Sequence, residues 1–178
     1  LIEKAADLFG SQCIVISIDT KKINGKYKVF YKSGTINTGM NPVDVAKKAE
    51  KYGAGEILIN SIDNDGSKKG FDIPIIDEII NNVKIPVICC GGAHTPQHFM
   101  DVLKLNISGI AASNMFHYTE QSVVLMKSYL RKYKNYDVRL DSYENYEDFD
   151  FDQFGRIIKR EENYLENLRF EFIEPENI

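Results

Sequence analysis

Cys13-Ile14-Val15-Ile16-Ser17-Ile18-Asp19 is a β-branched apolar run that stops on an aspartate. Three later runs stop on polar or glycine-rich residues in the same way. They are Ile57-Leu58-Ile59-Asn60, which leads into Ser61-Ile62-Asp63-Asn64-Asp65-Gly66; Pro86-Val87-Ile88-Cys89-Cys90, which leads into Gly91-Gly92-Ala93; and Gly109-Ile110-Ala111-Ala112-Ser113. A helix signal follows each. Strand, loop and helix repeated four times is the pattern of a (β/α) barrel, an α/β fold whose chemistry sits at the carboxyl ends of its strands. Parallel strands are expected near residues 13–18, 56–60, 86–90 and 109–112. A closed TIM (β/α)8 barrel takes eight strands, so four units make a half-barrel with two open edges and a half-lined core.

Punctuation between the runs supports this frame. Ile2, Ala5, Ala6 and Phe9 recur at helical spacing before Gly10, so the chain opens inside a helix and reads as cut from something longer. Either a preceding half is missing or two copies meet edge to edge as a homodimer. Asn24-Gly25 between Lys21-Lys22-Ile23 and Tyr27-Lys28-Val29-Phe30-Tyr31 is a two-residue hairpin signal, inserted in the loop after the first strand. Asn41-Pro42 and Thr95-Pro96 are cap-and-first-turn pairs for helices ending at Gly53 and about Leu105. Further helices are expected over Pro74–Asn81 and from about Glu120 to Lys132. Beyond about residue 140 acidic residues alternate with Tyr143, Tyr146, Phe149 and Phe151. A half-barrel over 1–140 and an extension over 141–178 are the expected division. The extension, helix-like over Arg156–Leu168 and β-leaning over Arg169–Ile173, is either packed or a partner-binding arm.

Bulk composition narrows the function class. A net charge of −4 on 178 residues argues against nucleic acid as the main partner. No apolar run approaches the ~20 residues of a membrane span, and Leu1-Ile2-Glu3-Lys4 is no signal peptide. Cys89 and Cys90 are adjacent in a strand, so they point to opposite faces and cannot share a metal. Three cysteines read as reduced, buried thiols in a cytoplasmic protein, and no cofactor or metal is expected.

Several residues are candidates for chemistry. Asp19 is an acid/base candidate, against a loop-bracing carboxylate as the alternative. Of Asp63 and Asp65, one braces the loop ahead of Gly66 through backbone N–H groups, or forms an Asx-turn, while the other meets ligand hydroxyls. Gly91-Gly92 and Ala112-Ser113 form the sharpest pair, because barrels of this class bind phosphate with bare backbone N–H groups after their last two strands. Glycine would keep the approach clear of side chains; two ordinary tight turns are the alternative. His94, His98 and His117 lack metal-site spacing and read as packing or surface residues. Glu56 starts the second strand at the opposite rim, where a charge ordinarily only solvates the edge.

The segments Gly10-Ser11-Gln12-Cys13-Ile14-Val15, Asn37-Thr38-Gly39, Gly53-Ala54-Gly55-Glu56-Ile57-Leu58, Ser61-Ile62-Asp63-Asn64-Asp65-Gly66, Gly70-Phe71-Asp72, Gly91-Gly92-Ala93 and Ala111-Ala112-Ser113-Asn114-Met115-Phe116-His117 together resemble the second half of the cyclase subunits of imidazole glycerol phosphate synthase. The resemblance runs in order from Leu1 to about Leu130. It implies a lyase-type barrel that takes ammonia from a partner glutaminase subunit in a heterodimer. The ammonia goes onto a bis-phosphorylated formimino aminoimidazole carboxamide ribotide, giving imidazole glycerol phosphate for histidine biosynthesis. By the family pattern Asp19 matches one of two catalytic aspartates. Asp65, Gly66, Gly92 and Ser113 match the second phosphate site, and Glu56 matches a charged gate for ammonia. Asn60 and Cys90 stand where the family usually has substrate-lining threonine and serine. Those two departures and the long tail also fit a paralogous barrel that works beside a glutaminase in amidating nucleotide sugars for bacterial surface glycans. A non-catalytic docking scaffold is a third reading.

Overall fold

The structure, a computed structural model, describes residues 1–120, 122–134, 136–140, 146–161 and 163. Helix α1 (Ile2–Phe9) runs through a 3-10 turn (Ser11–Cys13) into β1 (Val15–Ile23). Then come β2 (Lys26–Tyr31), β3 (Ile36–Asn37), α2 (Pro42–Lys51), β4 (Glu56–Ser61), α3 (Ile73–Ile80), β5 (Val87–Cys90), α4 (Pro96–Leu103), β6 (Gly109–Ile110), α5 (Asn114–Tyr118) and α6 (Val123–Lys134). The sheet order is β3-β2-β1-β4-β5-β6. β1, β4, β5 and β6 are mutually parallel neighbours. This is the half-barrel that the four (βα) units lead one to expect.

Local chemistry explains the elements. The Asn41 side chain accepts the Val43 N–H at 2.7 Å with Pro42 in the first turn, which starts α2 cleanly. Asn24 (φ 48) and Gly25 (φ 77) both take left-handed angles, as a tight hairpin turn requires. Ile18, Ile57, Ile59, Val87 and Cys89 point to one face of the sheet and are buried under Ala46 and Ala49 of α2, Ile75, Ile76 and Ile79 of α3, and Val102 of α4. Each fully buried isoleucine contributes roughly 1.5–3 kcal/mol of transfer free energy.

Within the (β/α) units four details depart from the sequence-based expectation. β1 does not end at Asp19. The hairpin pairs Asp19 with Phe30 and Ile23 with Lys26, so the strand stays in its ladder for four further residues. That pairing also covers the upper half of the β1 edge, leaving only Val15–Ile18 without a partner on that side among the described residues. Cys13 lies in the 3-10 turn and is exposed, so it is neither a strand residue nor a buried thiol. β6 is shorter than expected, although Ala111 N–H still donates to Cys89 O at 2.8 Å. The closing helix begins at Val123 rather than Glu120.

The extension packs where it is described. Tyr146 and Phe151 are buried, and Phe151 meets Tyr129 of α6 edge-to-face at 5.4 Å. A Cβ on Gly155 would come within 2.7 Å of Pro96, so this turn fits closely against α4. Lys132–Asp150 (2.8 Å) and Glu120–Arg156 (2.9 Å) tie its rim; exposed as they are, they fix position more than they stabilise. Arg156 to Glu161 is not helical as expected, because Ile157 forms an antiparallel bridge with Phe151 across the Gly155 turn. Apart from Asn163, which is helical, the rest of the anticipated helix lies outside the described residues, as do the β-leaning end and Asp141, Tyr143 and Glu144.

Candidate functional site

Side chains alternate along a strand, and the register lines them up across the sheet. On the face opposite the helices three rows form. Val15 and Glu56 make the lowest, Ser17, Leu58, Ile88 and Gly109 the middle, and Asp19, Asn60 and Cys90 the uppermost, at the carboxyl ends. Sequence reading named Asp19, Asn60 and Cys90 separately; the register makes them neighbours. Glu56 is half-buried at the amino end, four residues or about 13 Å of strand below Asn60.

Within the upper row, Asn60 Nδ2 donates to Asp19 Oδ1 at 3.2 Å. A carboxylate only accepts, so the amide must turn its nitrogen toward Asp19. That leaves the buried Asn60 Oδ1 without a donor. Asp19 is therefore held by a neutral donor and keeps its second oxygen for other work. The Cys90 thiol lies between two carboxylates: burial raises its pKa most, Asp65 adds to this, the Gly91 N–H opposes it, and Asp19 raises it further. Cys89, on the helix side, is pushed up to about 12 by burial. Both stay protonated thiols at neutral pH, which argues against a thiolate nucleophile.

A cavity of about 160 Å³ opens beside this row. Asp65 and Gly66 after β4, Cys90, Gly91 and Gly92 at the end of β5, and Ala112 and Ser113 after β6 all contribute to its wall. Three strand ends thus converge on one mouth. The N–H groups of Gly92 and Ser113 donate to no other described residue. Asp19 does not line this cavity; it stands two strands along the same row.

The glycines have a stronger reason than open approach. Gly91 and Gly92 take φ of 94° and 99°, and a Cβ on Gly92 would sit 2.1 Å from Gly70 O. The Gly70 N–H donates to Gly92 O at 2.8 Å, and Asn64 Nδ2 to Gly70 O at 2.9 Å, so the two loops are stitched backbone to backbone. Asp63 braces rather than binds: its carboxylate accepts the Lys22 N–H at 2.8 Å, which fastens the hairpin to the β4 loop. His98 Nδ1 accepts the His94 N–H at 3.2 Å, and His117 packs edge-to-face on Tyr118.

Some contributors escaped sequence reading. Lys68, His94, Tyr118 and Thr119 also line the cavity. Lys68 could have been suspected from its place in the Gly66–Gly70 loop, but nothing local marks the others. Asp72 accepts from Tyr27 Oη at 2.6 Å and from Ser61 Oγ at 3.3 Å, locking the hairpin to the start of α3. No grouping of histidine, cysteine or acidic residues among the described residues could hold a metal.

Comparison with known proteins adds a second line. Residues 1–122 match the family model described as histidine biosynthesis protein. The chain is 47% identical over 133 residues to the imidazole glycerol phosphate synthase subunit HisF of Oceanobacillus iheyensis, covering 74% of this chain and 52% of that protein. It is 48% identical over 141 residues to the subunit of the same name from Natranaerobius thermophilus, covering 79% and 56%. For that of Sulfurisphaera tokodaii the figures are 44% over 140 residues, 79% and 55%. The chain spans about half the length of the curated relatives it matches.

Proposed function

Because the chain belongs to the histidine biosynthesis protein family, we propose that it supplies half of an imidazole glycerol phosphate synthase cyclase, a cytoplasmic enzyme. The observation that carries this reading is a juxtaposition at the carboxyl ends: an Asp19–Asn60–Cys90 row that meets, through Cys90, a cavity walled by Asp65, Gly66, Gly92 and Ser113. The substrate is a bis-phosphorylated formimino aminoimidazole carboxamide ribotide. One of its phosphates seats against the Gly92 and Ser113 N–H groups, and Ala112, Gly91 and Gly66 shape the space around it. Ammonia closing an imidazole ring must lose protons from nitrogen, while the departing groups must gain them. Asp19, oriented by Asn60 and otherwise free to exchange a proton, is the acid/base for those transfers. Asp65 meets ligand hydroxyls.

Ammonia comes from a glutaminase subunit docked at the amino ends of the strands, where Glu56 stands. Above Glu56 the apolar layer of Leu58 and Ile88 leads to the catalytic row, a route that favours a small neutral molecule over an ion. The second reading, amidation of nucleotide sugars beside a glutaminase, is favoured by Asn60, Cys90 and the packed extension. Growth separates them. The intact gene should restore a histidine auxotroph that lacks the cyclase, and Asp19→Asn should not. A soluble, folded product that never restores growth would favour the nucleotide-sugar reading.

A further inference from the structure

The hairpin after β1 has a charge pattern that stability does not explain. Five lysines and no acidic residue lie between Thr20 and Thr35, in a chain whose net charge is −4. The ladder sets Lys21 directly opposite Lys28 and Ile23 opposite Lys26. Directly opposed residues share a face, and like charges so placed destabilise a hairpin. No local acid relieves them: among the described residues Lys21 and Lys26 make no ion pair, and Lys28 Nζ donates only to Gly39 O at 2.9 Å. Lys22 points to the other face, its ammonium 5.0 Å from the Tyr27 ring centre.

Position gives the pattern a use. Alternation puts Lys21 on the face of β1 that carries Asp19, about 7 Å further along the strand. Lys28 and Lys26 lie across from that face of β1. β4 ends at Ser61 and β5 at Cys90, whereas β1 runs on into the hairpin. Lys21, Lys26 and Lys28 therefore lie on the mouth's face of the sheet, beyond the carboxyl ends of β4 and β5, and Lys68 lines the cavity itself. Tyr27–Asp72 and Lys22–Asp63 hold the hairpin in that attitude.

We propose that Lys21, Lys26 and Lys28 form an electrostatic guide that draws small phosphate esters into the cavity of Gly92 and Ser113. This rests on the reading that the cavity takes a phosphate. A single-sign cluster over a cleft raises the local concentration and arrival rate of an opposite charge by ~10–10³-fold, and salt screens it. The cluster spans one hairpin beside a small cavity on an acidic protein, which suits a small anion rather than a long polyanion.

The test is calorimetric titration of the intact protein with inorganic phosphate and with ribose 5-phosphate at low and high salt. Wild-type affinity should fall roughly tenfold between 20 and 300 mM salt. The K21Q/K26Q/K28Q variant should bind several-fold more weakly at low salt, lose most of that salt dependence, and melt no lower than wild type because like-charge repulsion is gone. K21Q alone, which removes no hydrogen bond, should move in the same direction and guards against misfolding of the triple variant. Unchanged affinity and salt dependence in both variants would overturn the guide and leave the phosphate site standing. Absence of phosphate binding by wild type at either salt concentration would overturn both.

Discussion

Asp19 is held by one neutral donor, and that arrangement sets its use. The structural carboxylates differ: Asp72 accepts on both oxygens and Asp63 takes the Lys22 N–H, whereas Asp19 accepts only from Asn60 among the described residues. In the intact enzyme Asp19→Asn should cut turnover by ~10²–10⁴-fold, the range for a positioned acid/base, with an unchanged melting temperature. Near-normal turnover would reduce Asp19 to a brace. The three thiols differ by environment and give a second check. Cys13 is exposed, Cys90 half-buried between carboxylates, and Cys89 buried. Alkylation followed by mass spectrometry should label Cys13 first, then Cys90, with Cys89 modified only on unfolding. Raised pKa values leave little thiolate on Cys90 at pH 8, so its rate should climb with pH beyond the range where an ordinary thiol has levelled off. Prior labelling of Cys90 would mean that the mouth is more open than this.

At the scale of elements, loops and hairpin depend on a few joints. Gly92→Ala would drive a Cβ into Gly70 O at a positive φ, and should cost about 1–3 kcal/mol or more in chemical denaturation. Gly66→Ala, with nothing within 4 Å, should cost less. The Tyr27–Asp72 joint carries a pH signature. Burial first, then the bond to Asp72 and its charge, raises the Tyr27 hydroxyl above its ordinary range near 10. Its contribution is therefore fully present below pH 10 and is lost as pH rises toward the folded-state value. Wild type should lose melting temperature more steeply than Tyr27→Phe between pH 9 and 11; equal slopes would remove the joint from the account. These joints also mark where sequence reading stopped. Strand positions are legible because β-branched apolar runs with polar or glycine-rich stops and the Asn24-Gly25 turn are local signals. The overshoot of β1 is not, because Thr20-Lys21-Lys22 reads as a loop until its pairing with Tyr27–Val29 is known. Tyr27 and Asp72 are 45 residues apart, and no local pattern announces such a bond. Open approach for an anion is the reason the sequence offers for Gly91 and Gly92; the clash of a Gly92 Cβ with Gly70 O exists only once two loops meet.

At the largest scale, the concave face is what the described residues leave uncovered. Val15 is 48% exposed at the foot of β1, and Leu8 and Phe9 of α1 stand in solvent on the adjoining side. Unpaired strand edges beside apolar surface drive association. The chain by itself should therefore pair with a second copy, edge to edge, with a mass near twice 20.3 kDa in light scattering. A well-packed monomer would mean that the extension covers the face instead. Glu56 stands at one end of the strands and the Asp19 row at the other, and the proposed function uses that direction, with ammonia entering at the amino ends and a phosphorylated substrate at the carboxyl ends. Turnover of the bis-phosphorylated formimino substrate with free ammonia by the product of the intact gene decides whether that direction is used. Imidazole glycerol phosphate and aminoimidazole carboxamide ribotide should appear in equal amounts, abolished by Asp19→Asn and competed by inorganic phosphate. A folded protein that binds phosphate at Gly92 and Ser113 yet releases neither product would contradict it.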